Sequence, residues 1–147
     1  MYFDSQNKIN SFCNPIDYIE EYVYKLDADL FRDSANNLTL IYRGQWRSYS
    51  VVFKWDEQNK IISVSSYFDI TKKEKINKNI YSLVSIVNEK INLGYFHYCS
   101  KLETVFFKYQ VSFKGVDYLT EEQIEDILNV VINECDKYFP AFYLFFF

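Results

Sequence analysis

Histidine is nearly absent from this 147-residue sequence, which has one, and glycine and proline are scarce at three and two. A lone histidine, His97, excludes HExxH and His-cluster metal sites and leaves no choice of base for a Ser-His-Asp arrangement. Gly44, Gly94 and Gly115 lie too far apart for a GxGxxG turn or a Walker loop. The cysteines Cys13, Cys99 and Cys135 form no CxxC pair, and an odd count does not suit a secreted disulfide framework. They are expected to be reduced, mostly buried thiols of a cytoplasmic protein. The N-terminus lacks the basic and apolar regions of a signal peptide. No apolar run reaches the roughly 20 residues a membrane helix needs. The nearest, Phe139 to Phe147, is short and contains Pro140. The expectation is a cytoplasmic chain without membrane insertion, and without catalytic, cofactor-binding or metal-binding residues.

Positive charge is also in short supply. The net charge is −4, and the densest basic run, Thr71-Lys72-Lys73-Glu74-Lys75, is interrupted by a glutamate and reads as a solvated helix start. Nucleic-acid binders carry a basic stripe or patch, so nucleic acid is not an expected partner. What is present is an ordinary globular balance, 49% hydrophobic and 24% charged, over a length that suits one domain. Phe, Tyr, Ile, Asn and Lys dominate, and their codons are AT-rich, so the 20% aromatic content is not by itself a stacking platform. The acidic pairs Glu20-Glu21, Glu121-Glu122 and Glu125-Asp126 are expected on solvated helix faces, two of them favouring the dipole of the last helix. His97 and Cys99 share one strand face, but Cβ atoms two apart on a strand are roughly 6.5–7 Å apart and point in parallel, a poor geometry for proton transfer.

Residues 1–13 read as a flexible lead-in and residues 14–147 as one domain. A first helix opens with Asn14 as N-cap, Pro15 at the first helical position and Asp17 in the first turn. Its stripe is Ile16, Ile19, Val23 and Leu26, and it should end near Asp27. The period then changes to two. A short strand at Leu30-Phe31-Arg32 is followed by alternating runs at Leu38 to Tyr42, Tyr49 to Trp55 and Ile62 to Phe68, an antiparallel meander with one wet face. Thr71 and Glu74 open a second helix with the stripe Ile76, Ile80, Leu83, Val84, Val87 and Ile91, and Gly94 stands where a left-handed C′ residue is expected. Strands at Tyr95 to Cys99 and Thr104 to Phe113 form a hairpin. Thr120 and Gln123 open a third helix with the stripe Ile124, Ile127, Leu128, Val131 and Cys135, which Pro140 should end or kink. The expected fold is α+β, an antiparallel sheet of five to six strands flanked by helices in the order α-β(3-4)-α-β(2)-α.

Several segments carry a family resemblance. Asn14-Pro15-Ile16-Asp17, the aromatic strand ending Phe53-Lys54-Trp55, and Phe68-Asp69 before a helix are similar to the YbjN-like proteins. So are Leu83-Val84 through Val87-Asn88-Glu89-Lys90 with Leu93-Gly94-Tyr95-Phe96, and Glu134-Cys135-Asp136-Lys137-Tyr138-Phe139-Pro140-Ala141-Phe142. The resemblance runs from about residue 14 to the end. It implies a type III secretion chaperone-like fold and the role of a bacterial sensory-transduction regulator with no defined biochemical activity. It brings no catalytic residues. Relatives often continue past the Pro-Ala-Phe segment with a glycine-bearing polar tail, whereas this sequence ends on three phenylalanines, which leaves room for a natural segment beyond Phe147.

These readings point to a non-enzymatic protein-binding module, regulatory or chaperone-like, whose partner is another protein or a second copy in a homodimer. A small-molecule sensor with an aromatic pocket between sheet and helices is the alternative. The aromatic candidates for partner contact are Trp46, Trp55, Phe106, Phe142, Phe145, Phe146 and Phe147, since large aromatics carry interface energy well. The tail Tyr138 to Phe147 is the clearest candidate surface as a whole: it is expected either to complete the third helix or pack back on the sheet, or to dock against a second copy or a partner.

Overall fold

A computed structural model describes residues 14–68 and 79–146. The element order is α1 (Pro15–Lys25), β1 (Asp29–Ser34), β2 (Asn37–Arg43), β3 (Ser48–Asp56), β4 (Ile61–Tyr67), α2 (Ile80–Asn88), β5 (Tyr95–Cys99), β6 (Thr104–Ser112) and α3 (Glu121–Phe146). The six strands form one antiparallel sheet in the order β1-β2-β3-β4-β6-β5. This is the α+β architecture the periodicities lead to.

Alternation decides which face is dry. Along β3, Tyr49, Val51, Phe53 and Trp55 are buried while Ser48, Lys54 and Asp56 are exposed. The register aligns Leu38 with Phe53, Phe53 with Val64, and Ser66 with Phe107, so one face is continuous from β2 to β6. Ile16, Ile19 and Val23 of α1, Ile80 and Val87 of α2, and Ile124 to Phe142 of α3 close the same cluster. The opposite face carries Thr39, Ser50, Ser63, Ser65 and Lys108 at intermediate exposure, with His97 and Gln110 exposed.

The helix starts follow their sequence signals. Asn14 Oδ1 accepts from the Ile16 N–H at 2.9 Å, and its Nδ2 donates to Ala35 O at 2.7 Å, tying the cap of α1 to the β1–β2 turn. Thr120 and Gln123 form the reciprocal capping box: the Gln123 N–H donates to Thr120 Oγ1 at 3.1 Å, and the Thr120 N–H donates to Gln123 Oε1 at 2.8 Å. Arg32 reaches back under α1, pairing with Glu20 and, at 2.8 Å, with Asp17. Glu20 is therefore half-buried in an ion pair rather than part of a solvated face. The other acidic pairs, Glu121-Glu122 and Glu125-Asp126, are exposed.

Three sequence expectations need correction. Leu26 does not extend the α1 stripe; it is the C-cap, 46% exposed, because the chain reverses through left-handed Asp27 (φ 60°) immediately after it. Gly94 is left-handed (φ 79°) but is not the C′ residue of α2, which already ends at Asn88. Pro140 does not end the last helix, which continues to Phe146. The expected cap at Thr71 and Glu74, and Ile76 of the second stripe, lie outside the described residues.

Asn88 explains the early end of α2. Its Nδ2 donates to Phe96 O at 3.0 Å and its Oδ1 accepts from the Phe96 N–H at 2.8 Å. One side chain thus imitates a neighbouring strand on the outer edge of β5 and satisfies both backbone groups of a residue whose ring is buried. Asn88→Ala is expected to lower unfolding stability by about 1–3 kcal/mol and to promote concentration-dependent self-association through the opened edge. Urea denaturation and light scattering check both. Asn88→Asp, which keeps the acceptor and loses the donor, should fall between.

Candidate interaction groove

The C-terminal half of α3 rests on an aromatic cluster. Phe68 is ringed by Tyr49 (5.8 Å), Phe139 (5.3 Å) and Phe142 (5.9 Å), and Phe96 meets Phe107 and Phe142 at 5.0 Å each. The tail therefore completes the third helix, with Tyr138, Phe139 and Phe142 facing the core and Tyr143 and Leu144 facing outward.

Against this helix the β2–β3 loop is pinned by polar contacts. Gly44 N donates to Arg47 O at 2.9 Å, closing the turn. A Cβ on Gly44 would collide with the Tyr49 ring and sit 2.6 Å from Asp136 Oδ1, so only glycine lets the loop come this close. Asp136 Oδ1 accepts from the Gln45 N–H at 2.9 Å and from the Tyr49 hydroxyl at 2.6 Å. Burial, reinforced by the Asp136 carboxylate, pushes the Tyr49 phenol far above its ordinary range, so it remains a donor.

The third contact explains how proline sits inside a helix. Pro140 has no N–H to give the carbonyl four residues earlier, that of Asp136. The Trp46 indole Nε1 donates to that carbonyl at 2.9 Å. The loop thus supplies the hydrogen bond that the proline removes. It also fixes Trp46 while leaving the residue 54% exposed.

The result is an open groove of about 570 Å³ lined by Trp46, Arg47, Phe139, Pro140, Tyr143 and Leu144. Leu144 is 75% exposed, and the Arg47 guanidinium lies 5.7 Å from the centre of the Phe139 ring. A second hollow of about 450 Å³ lies by β1 and β2, bordered by Asp27, Asp29, Arg43 and Ser48 together with Leu26 and Ile41. Its border is more charged.

The aromatic candidates separate cleanly. Trp46 lines the groove. Trp55 and Phe142 are core residues at 5% and 0% exposure and present no contact surface. Phe106 is half-buried on the open sheet face, stacked on Tyr67 at 5.0 Å and edge-on to His97 at 5.3 Å. Phe145 is half-buried against the core. Phe146 ends α3, with a side chain outside the described residues, as is Phe147. Arg47 escaped the sequence reading, whereas Phe139, Pro140, Tyr143 and Leu144 belong to the apolar tail that the sequence offers as a whole. The available signal was an apolar helical period that runs on past Pro140.

Among the described residues no group of three His, Cys, Asp or Glu side chains could hold a metal ion, and no helix is long and apolar enough to cross a membrane. His97 is exposed on the sheet. Cys135 is buried, and desolvation pushes its thiol up to about 12, so it is not a nucleophile at neutral pH. Its neighbour Ser66 is the buried polar side chain whose Oγ lacks a well-formed hydrogen bond; the soft thiol is a weak partner for it.

No curated protein matches the chain. Among solved structures, that of YbjN, a putative transcription regulator from E. coli, is similar with a TM-score of 0.55 and 12% identity, over 83% of this chain and 86% of that one. The ExsC-ExsE complex contributes a second similar chain, at TM-score 0.53 and 12% identity, over 69% of this chain and 72% of that one. At such identities the likeness is one of fold. The sequence itself matches the family described as "Putative bacterial sensory transduction regulator" over residues 15–144. Spanning nearly all of the described structure, that match makes the chain a member of the YbjN family.

Proposed function

We propose that this chain is a non-enzymatic, cytoplasmic protein-binding module, regulatory or chaperone-like, and that the partner docks in the groove between the β2–β3 loop and the end of α3. The observation that carries this reading is Trp46, a large aromatic held rigidly by its indole N–H yet half exposed. Rigid, partly exposed aromatics supply contact area at little entropic cost, as binding hot spots do. The regulator description of the family and the fold likeness to a chain of a two-protein complex support the same reading. The groove is open rather than enclosed, which suits a polypeptide better than a sequestered small molecule.

The test is affinity purification from the native cell with wild-type protein, Leu144→Glu and, as a control on the open sheet face, Phe106→Glu, with light scattering to detect a second copy. At least one protein, or the chain itself, should be retained by wild type and Phe106→Glu and lost with Leu144→Glu. Retention of the same set by all three, or of nothing specific, would overturn the reading.

A further inference from the structure

We infer that β1 is a docking edge for an extended segment that alternates basic and apolar residues, on a surface that shares no residue with the groove. β1 has a strand on one side only, β2. Among the described residues, no helix or loop hydrogen-bonds to the backbone of residues 29–33. The nearest such bond, from Arg32 Nε to Ser34 O at 2.8 Å, closes the end of the strand. The other edge of the sheet is treated differently, since Asn88 engages both backbone groups of Phe96. One edge is therefore partly sealed and the other open, and an open edge accepts a further strand.

The side chains of β1 decide which strand fits. Pairing with Ile41 and Thr39 puts Asp29 and Phe31 on the open sheet face, and Asp33, the bulged residue with no partner on β2, follows them in the alternation. All three are exposed, Phe31 at 59%. Among the described residues, no ion pair or side-chain hydrogen bond engages Asp29 or Asp33. Arg32 points to the other face, where Asp17 and Glu20 outnumber it. The nearest cations of the open face, Arg43 and Lys54, stand on β2 and β3, behind the edge. Toward an incoming strand the edge thus reads Asp-x-Phe-x-Asp. Side chains directly opposite across a strand pair interact, opposite charges favourably and like charges unfavourably. A matching segment carries Lys or Arg opposite each aspartate and a β-branched or aromatic residue opposite Phe31. A second copy does not match, because antiparallel self-pairing about Phe31 sets Asp29 against Asp33. The same two carboxylates therefore repel another β1 and select a basic partner.

The test is binding of two labelled, end-capped peptides, Thr-Lys-Thr-Ile-Thr-Lys-Thr and its counterpart with Glu for Lys, to the purified full-length chain. The basic peptide should bind and the acidic one should not, and amide hydrogen exchange should slow at residues 30–32 when the basic peptide is added. The doubly reversed variant Asp29→Lys, Asp33→Lys should bind the basic peptide about five- to tenfold more weakly and should admit the acidic one. Leu144→Glu should leave both results unchanged, which separates this edge from whatever docks in the groove. The single variant Asp29→Lys sets opposite charges against each other in the self-pairing. Light scattering should therefore show more dimer than in wild type, and the double variant should show no such gain. Circular dichroism confirms that each variant is folded. No binding of the basic peptide, equal binding of both, or indifference to the double reversal would overturn the inferred chemistry. Exchange that slows on α3 instead of β1, or binding lost with Leu144→Glu, would overturn the edge as the site. A single variant no more dimeric than wild type would overturn the account of why a second copy is rejected.

Discussion

Replacing Pro140 by alanine is expected to stabilise the protein while loosening the groove. Proline in a helix interior is about 3 kcal/mol less favourable than alanine, but here Trp46 returns part of that cost by donating to the orphaned Asp136 carbonyl. With an N–H restored at position 140, the carbonyl turns along the helix axis and the indole bond weakens, so the net gain should be about 1–2 kcal/mol. The midpoint of urea unfolding should rise, and collisional quenching of Trp46 fluorescence should increase. A thermodynamic cycle isolates the pairing. Trp46→Phe should cost about 1–2 kcal/mol in the parent and close to nothing in the Pro140→Ala background, where the carbonyl has another partner. A loss of stability on Pro140→Ala, or equal costs for Trp46→Phe in both backgrounds, would contradict the account of how the helix tolerates its proline.

Gly94→Ala should be among the most damaging single changes in the chain. Its φ of 79° is costly for any residue with a side chain. The added Cβ would strike the ring of Phe107, which is fully buried, and stand 2.9 Å from the Lys108 carbonyl oxygen. Left-handed strain of about 1–2 kcal/mol and overpacking of about 1–3 kcal/mol together predict a loss of roughly 2–5 kcal/mol. Gly115 is an internal control, because it has φ 80° and nothing within 4 Å of its would-be Cβ. Gly115→Ala should therefore lose only the backbone contribution. Denaturation midpoints of the two variants, measured side by side, separate conformational strain from steric collision; equal losses would show that the Phe107 contact does not matter.

Local chemistry made much of the fold readable in the sequence. Asn14 and the Thr120–Gln123 pair act within three residues of themselves, so their capping roles needed no tertiary information. The alternation through β3 and β4 reads correctly because one sheet face is dry and the other wet. Trp55 shares the phase of Phe53 and Val51, so its burial was available from the same alternation. Phe142 follows Cys135 and Tyr138 at helical spacing and reads as core only if the helix runs on past Pro140, where the sequence leaves an end or a kink open. Nonlocal chemistry was hidden. Gln45, Trp46 and Tyr49 meet Asp136 across 91, 90 and 87 residues. No periodicity encodes such a contact. Without it, Pro140 reads as the end or a kink of the helix and Trp46 as one aromatic among many. The position of Gly94 failed for a related reason: the side chain of Asn88 engages β5 and ends α2 earlier than its apolar stripe suggests.

The strand order has a consequence for how the sheet assembles. Every pairing joins neighbours in sequence except that of β4 with β6, which aligns Val64 with Tyr109 and Ser66 with Phe107. The β1–β4 meander and the β5–β6 hairpin can each zip locally, whereas their junction must close a span of more than forty residues in the register Ser66–Phe107. Loop-closure entropy is largest there, so that junction is expected to form late in folding. It is also where Ser66 must give up water for the neighbourhood of the Cys135 thiol. On that expectation, the dehydration of one hydroxyl and the joining of the meander to the hairpin coincide along the single line between β4 and β6.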